Sequence, residues 1–236
     1  MHLLDLDPEL GAGLPPDAFA KARDACTVPV ARFEPSAWRA PWGQDRWRNC
    51  LGFLMLSGAS LRQATIAGRR RSLEMLGAGD IAQPWLPTRT ADVEILGRVL
   101  EPTSVAVLDG RYQQLAAPWP QLGAAIVGRA LTRTSSLALQ HALSQEPRLT
   151  TRIHTLLAHF ARRWGTVHPE GITIRARLSH QLIADLVSAQ RPSVSVAMRT
   201  LVQTGVLTRA GGGHWRLLGS VEDLLADELF PTGLAS

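Results

Sequence analysis

Between positions 178 and 201, apolar residues recur at spacings of three and four, which is the pattern of two short amphipathic helices. Ser179 precedes the first helix, where its hydroxyl can accept a hydrogen bond from an otherwise unpaired backbone N–H. Residues 188–190 are the predicted turn. Pro192 then falls in the first turn of a helix beginning at Arg191, where a missing N–H costs nothing. The pattern therefore predicts a helix, a three-residue turn and a second helix.

The second of these helices has an apolar and a polar face. Its predicted inner face consists of Val194, Ala197, Met198 and Leu201. Its predicted outer face consists of Arg191, Ser193, Ser195, Val196, Arg199 and Thr200. The outer set carries guanidinium and hydroxyl donors, which proteins place on guanine edges and phosphates. We expect this helix to enter the major groove of duplex DNA.

The segments on either side predict a winged version of this motif. Residues 171–178 alternate apolar and polar side chains, as a short strand does. Residues 205–218 have the pattern of a hairpin with a glycine tip. A helix-turn-helix flanked by such a hairpin is a winged helix-turn-helix.

The middle of the chain predicts two further helices. One long helix spans residues 119–145, with an apolar stripe formed by Leu122, Ile126, Ala130, Leu131, Leu137 and Leu139. Such a helix usually packs on another helix, either across a dimer axis or within its own domain. A second helix spans residues 149–164 and would cap the DNA-binding domain. Pro147 and Arg148 lie between the two and are a candidate hinge.

Residues 1–118 contain short apolar runs separated by Gly and Pro, with predicted strands at 50–56, 61–66, 73–76 and 104–108. Evenly spaced strands of this kind favour a small antiparallel barrel or roll. The predicted fold is α+β, with three parts: an antiparallel β-roll at 1–118, a long dimerisation helix at 119–145 and a winged helix-turn-helix domain at 146–236.

Charge supports a polyanionic partner for the C-terminal part. The whole chain has a formal net charge of +5, but residues 146–219 hold ten arginines against three acidic residues. That excess is the electrostatic footprint of a nucleic-acid binder. A solvated basic face is the alternative explanation of the charge taken by itself.

Other functional classes lack their residues. Cys26 and Cys50 are too few for a disulfide framework, a zinc module or the four thiolates of an iron–sulfur cluster. The seven histidines are scattered without tight ligand spacing, so neither a metal, a cofactor nor an enzymatic activity is expected. No apolar run reaches a membrane span, and the first residues lack the basic start of a secretory signal, which predicts a cytoplasmic protein.

The residues from Leu156 to Leu207 resemble the DNA-binding domain of the CRP/FNR transcription regulators, through the runs 156–161, 178–184, 191–195 and 201–207 together with Gly171. The resemblance implies that Arg191 binds a guanine and that Ser179, His180 and Ser193 hold phosphates. The complete predicted DNA-contacting set is Ser179, His180, Gln181, Arg191, Pro192, Ser193, Ser195, Val196, Arg199 and Arg209.

Two residues of the second helix depart from the family. Pro192 stands where an acidic residue is frequent, and Val196 stands where many members carry Arg. Both changes remove polar base readers, and Val196 is better suited to the methyl group of a thymine. We therefore expect an operator different from those of the best-known members.

Residues 56–61, the basic loop 68–71 and residues 73–80 resemble the β-roll of cyclic-nucleotide-binding domains, where Gly77 and Gly79 would form a tight turn. That family holds its ligand with Gly-Glu-Leu followed by Arg-Ser/Thr-Ala. Here residues 89–91 read Arg-Thr-Ala, but no Gly-Glu precedes them. Cyclic AMP binding is therefore not expected. Four tryptophans form either an effector cavity or plain core: Trp38, Trp42, Trp47 and Trp85.

The sequence thus predicts a transcription regulator that binds a palindromic site on double-stranded DNA as a homodimer, with RNA polymerase as a candidate further partner and any small-molecule effector unidentified. The alternatives are an architectural protein that binds DNA without sequence preference, and an enzyme built on the β-roll. The loop 69–71 is either solvated or a secondary DNA contact. The acidic segment 221–230 is either a terminal helix on the domain or a partner contact.

Overall fold

A computed structural model describes residues 1–37, 50–67, 69–83 and 93–219, excluding the side chains of 69–71. The chain divides into two compact units, Met1–Leu137 and Ala138–Ser236. The four tryptophans at 38, 42, 47 and 85, the segment 89–91 and the acidic segment 221–230 lie outside the described residues. The three-part division expected from the sequence stays a prediction.

The first unit is an antiparallel sheet flanked by helices. In chain order its elements are α1 (Leu3–Leu6), a 3-10 turn (Pro8–Gly11), α2 (Pro16–Ala25), β1 (Val30–Phe33), β2 (Gly52–Ile66), β3 (Arg69–Gly77), β4 (Ile81–Ala82), β5 (Val93–Leu108), α3 (Gly110–Ala116) and the start of α4 (Pro120–Gln145). The strand order is β1-β5-β2-β3, and β4 pairs with β2. Its main core joins α1, α2 and α3 to the sheet and to Leu122 of α4. The predicted antiparallel N-terminal fold is confirmed.

The strand boundaries in this unit differ from the predicted ones. The two strands predicted at 50–56 and 61–66 are one strand, β2, whose pairing register shifts between Met55 and Ser60. Gly58 allows the strand to continue, because it has a φ of +87° and an added Cβ would lie 2.3 Å from the Pro102 carbonyl oxygen. Bulges of this kind are hidden from an alternation pattern, which shows only an interruption.

Two further expectations about this unit were wrong and one was right. The basic segment 69–71 is not a loop, since β3 begins at Arg69 and pairs with the end of β2. β5 begins eleven residues earlier than predicted, at Val93. The predicted turn at Gly77 and Gly79 is confirmed: the Asp80 N–H donates to the Gly77 carbonyl at 3.1 Å, and the Gly77 N–H donates to the Asp80 carboxylate at 2.8 Å.

The long helix α4 confirms the prediction over 119–145, but the proposed apolar stripe is divided between two faces. Leu122 is fully buried, whereas Leu131 is 61% exposed. On the face towards the sheet, α4 is attached by ion pairs. Arg133 donates to both carboxylate oxygens of the buried Glu74, at 2.6 and 2.8 Å, and to the Ile81 carbonyl at 3.3 Å. One turn earlier, Arg129 pairs with Glu9 at 2.7 Å.

The second unit contains the predicted winged motif. After α4 its elements are α5 (Leu149–Trp164), β6 (Gly165–His168), β7 (Gly171–Ile174), α6 (His180–Leu186), α7 (Arg191–Gln203), β8 (Leu207–Arg209), a 3-10 turn (Gly211–Gly213) and β9 (Trp215–Leu218). The sheet order is β6-β7-β9-β8. The predicted helix at 149–164 and the glycine-tipped hairpin are confirmed.

Two strands of this unit were incompletely predicted. β7 ends at Ile174 rather than at residue 178, because the next residues leave the sheet and lead into α6, with Leu178 buried. β6 was not predicted, and it forms a hairpin with β7 that turns before Gly171. Gly171 has a φ of +139°, and an added Cβ would lie 1.9 Å from the Leu217 carbonyl oxygen. This glycine therefore allows β7 to lie close against β9.

Candidate nucleic-acid interface

The first helix of the motif begins and ends as its sequence requires. The Ser179 hydroxyl accepts a hydrogen bond from the Leu182 N–H at 3.1 Å, so the predicted cap is confirmed. The helix buries Leu182, Ile183, Ala184 and Leu186. At its C-terminal end the Arg152 guanidinium of α5 donates to the Val187 carbonyl at 2.8 Å, which satisfies an orphan acceptor with a cation. The chain then turns through Ser188, which has a φ of +53°.

The second helix, α7, presents the predicted faces. It buries Val194, Ala197, Met198 and Leu201, and it carries Pro192 in its first turn. Ser195 is partly buried, while the other outer-face residues are exposed, namely Arg191, Ser193, Val196, Arg199 and Thr200. Val196 is 60% exposed although it is apolar. The helix thus presents one long side to solvent, where an external partner can reach it.

A basic cavity opens where α6, α7 and the wing meet. Its volume is about 660 Å³, and it is lined by Arg177, Leu178, Ser179, His180, Gln181, Arg191, Arg209 and Gly213. Three of these residues are arginines and none is acidic. A concave site of that charge is electrostatically suited to an anion such as a phosphate group.

His180 connects the two helices of the motif. Its Nδ1 lies 3.0 Å from the Ser195 hydroxyl, and that hydroxyl donates to the Arg191 carbonyl at 3.0 Å. The other ring nitrogen, Nε2, is buried without a hydrogen-bond partner. Burial, followed by the charges of Arg209 and Arg191, lowers the pKa of His180. The neutral ring is therefore favoured at pH 7.

Trp215, on β9 of the wing, packs against residues that line the cavity. The indole is 3% exposed and its Nε1 donates to the Leu178 carbonyl at 2.9 Å. The His180 ring stacks on it with centroids 5.9 Å apart and an interplanar angle of 21°. The Arg209 guanidinium carbon lies 4.2 Å from the indole ring centroid. Three cavity residues thus contact one aromatic side chain.

The structure brings together half of the predicted site residues. The cavity lining includes Ser179, His180, Gln181, Arg191 and Arg209. The remainder, Pro192, Ser193, Ser195, Val196 and Arg199, lie on α7 outside the lining, with Ser195 contacting His180. Whether these residues contact DNA stays a prediction. Two residues at the cavity were not predicted as site residues, Arg177 and Trp215. Arg177 fell within the strand predicted over 171–178, which ends at Ile174. The alternating pattern of the wing indicated only that Trp215 belongs to the core.

Over the described ranges, no group of three or more acidic, His or Cys side chains is arranged to hold a metal ion. Within the same part of the chain, no helix is both long and apolar enough to cross a bilayer.

Comparisons with known proteins agree with this geometry. A family model described as the Crp-like helix-turn-helix domain matches residues 151–220. A comparison with curated protein sequences gave no match.

Solved structures share the fold over most of the chain. A CooA mutant from Carboxydothermus hydrogenoformans is 18% identical with a TM-score of 0.62, covering 93% of this chain and 93% of its own. The c-di-GMP responsive global regulator CLP of Xanthomonas campestris is 21% identical with a TM-score of 0.59, covering 86% of this chain and 100% of its own. A CRP/FNR-family transcriptional regulator of Thermus thermophilus is 15% identical with a TM-score of 0.58, covering 84% of this chain and 98% of its own. At these identities the likeness establishes the fold, and the family model adds the DNA-binding domain. Together they show that this chain carries a Crp-like helix-turn-helix domain at residues 151–220, within a fold that it shares with solved CRP/FNR-type structures.

Proposed function

We propose that this protein regulates transcription by binding a palindromic DNA site as a homodimer, without control by cyclic AMP. The observation that carries the proposal is the exposed side of α7, which begins at Arg191 beside a cavity lined by three arginines. Base edges specify a sequence, whereas phosphates position the protein. A helix with an arginine at its exposed N-terminal end and a basic recess next to it supplies both kinds of contact.

Four exposed residues of α7 have proposed roles. Arg191 donates to the O6 and N7 atoms of a guanine, which is the commonest specific contact in the major groove. Val196 contacts the methyl group of a thymine, since an exposed isopropyl group has no other complementary atom in the groove. Arg199 and the cavity residues hold phosphates. Pro192 has no polar side-chain atom, so it makes no hydrogen bond to the base pair next to it.

The dimer surface that we propose is the side of α4 that turns away from the sheet, and we call it the α4 seam: Ala124, Val127, Leu131, Thr134 and Ser135. Val127 is 57% exposed and Leu131 is 61% exposed. The two hydroxyls donate to their own helix, Thr134 to the Ala130 carbonyl and Ser135 to the Leu131 carbonyl. Every polar donor of the seam side chains is therefore satisfied internally, and burial against a second copy leaves none unpaired.

Selection from random duplexes tests sequence specificity. We expect enrichment of a palindrome with half-sites about one helical turn apart. Arg191→Ala should cost about 1–3 kcal/mol on the selected site and relax the preference at one base pair. Arg199→Ala is the matched control, since losing a phosphate contact weakens all duplexes alike. A uniform loss for Arg191→Ala would contradict its role, and the absence of any enriched palindrome would favour the architectural alternative.

Independence from cyclic AMP rests on the sequence, in which no Gly-Glu precedes the Arg-Thr-Ala of residues 89–91. Glu74, a buried carboxylate of the roll, is already engaged by Arg133 of α4 and, at 3.4 Å, by Arg62. Calorimetry should detect no heat of binding for cyclic AMP and no change in DNA affinity, and a micromolar dissociation constant would overturn this part. A different effector is the second candidate, since the fold relative CLP is described as c-di-GMP responsive. Regulation of a bacterial promoter also implies a cytoplasmic protein and contact with RNA polymerase.

A further inference from the structure

We infer that Trp215 is a positioning residue for phosphate binding in the basic cavity. Its indole orients two residues of the cavity lining, Arg209 of the wing and His180 of α6. This inference rests on the proposed DNA-binding function and deepens it. Trp215 itself is buried. Its role is to act through the two side chains that do line the cavity.

The two cavity residues come from different elements of the motif, and the indole joins them. Arg209 ends β8, whereas His180 begins α6. The ring contacts both: the Arg209 guanidinium carbon lies 4.2 Å from the ring centroid, and the His180 ring stacks at 5.9 Å. An arginine above an aromatic face is restrained without using its N–H donors, which stay available to an anion.

The hydrogen bond of the indole fixes the position of the ring itself. Nε1 donates to the Leu178 carbonyl at 2.9 Å, directly before the Ser179 cap of α6. The start of α6 and the hairpin of the wing are therefore held in register at the rim of the cavity. Preorganisation of this kind lowers the ordering cost of binding rather than adding a contact.

Double-mutant cycles on DNA affinity as a function of salt test the inference. Each phosphate contact contributes about 0.9 to the slope of log affinity against log salt. We expect Arg209→Ala to lower that slope by about 0.9 in the wild-type background and by close to zero in a Trp215→Leu background, because Arg209 no longer has its platform there. Arg199→Ala is the matched control, since it should lower the slope equally in both backgrounds.

A second background separates positioning from loss of folding. Trp215→Phe retains an aromatic face and removes only the donor to Leu178, so Arg209→Ala should keep most of its effect on the slope. If Trp215→Leu does not fold, Trp215→Met, which also lacks an aromatic face but fills irregular core gaps better, takes its place in the cycle. Additive effects of Arg209→Ala and a nonaromatic substitution of Trp215 on the slope would overturn the inference, as would an Arg209 effect abolished by Trp215→Phe alone. The salt slope can be measured on any duplex. A wild-type protein without sequence preference would therefore refute the proposed function, while the role of Trp215 could still be determined from the cycle.

Discussion

Replacing Leu131 by glutamine should dissociate the proposed dimer while leaving each protomer folded. Leu131 is 61% exposed in the single chain, so its substitution removes little of the monomer core. Fully burying a leucine stabilises by roughly 1.5–3 kcal/mol, and covering the exposed fraction contributes roughly 1–2 kcal/mol for each protomer. Two copies give roughly 2–4 kcal/mol, which raises the dimer Kd by roughly 30- to 700-fold.

Sedimentation equilibrium over a range of protein concentrations measures this shift. Val167→Gln is the matched control, since Val167 is 55% exposed but belongs to β6 of the second unit rather than to α4. Circular dichroism should show an unchanged helix content for both variants. An unchanged Kd for Leu131→Gln, or an equal shift for Val167→Gln, would refute the assignment of the α4 seam.

Two stability predictions follow from buried ionisable groups. Glu74→Gln should lower the free energy of unfolding, measured by urea titration, by about 3–5 kcal/mol, because it leaves the Arg133 guanidinium buried without its counterion. Glu9→Gln is the control: Glu9 is exposed and pairs with Arg129, so its loss should cost less than about 1 kcal/mol. Burial, then the nearby Arg163 and Arg162, lowers the pKa of His159 to about 4. Its protonation thus favours the unfolded chain, so stability is complete above pH 6.5 and falls by about 3 kcal/mol as the pH drops to 4. His159→Gln should flatten this fall, whereas a His159→Gln protein with the wild-type pH dependence would contradict the assignment.

The helix-turn-helix was predictable because its signals are local. The Ser179 cap, the three-and-four spacing of the buried residues and Pro192 in a first turn each act within one or two helical turns. These signals placed the start of each helix within a residue of its observed position. They also separated the faces of α7 correctly, since a helix with strong amphipathicity has only one way to bury its apolar side.

The sheet of the first unit was less predictable because its form depends on pairing partners. β2 continues through an interruption that sequence alternation reads as a loop, and only the opposite strand β5 explains the bulges beside Gly58. Trp215 illustrates the same limit within the candidate site. Its neighbours Leu178 and His180 lie 37 and 35 residues earlier in the chain, so no local pattern connects them.

The burial of the ion pair between Glu74 and Arg133 has a consequence for handling the protein. Salt weakens exposed charge pairs strongly and buried pairs much less. The Glu74 side chain is only 8% exposed, whereas the cavity at the helix-turn-helix is open to solvent. Washing with about 1 M salt, where the screening length is about 3 Å, should therefore strip co-purifying nucleic acid while α4 stays attached to its sheet.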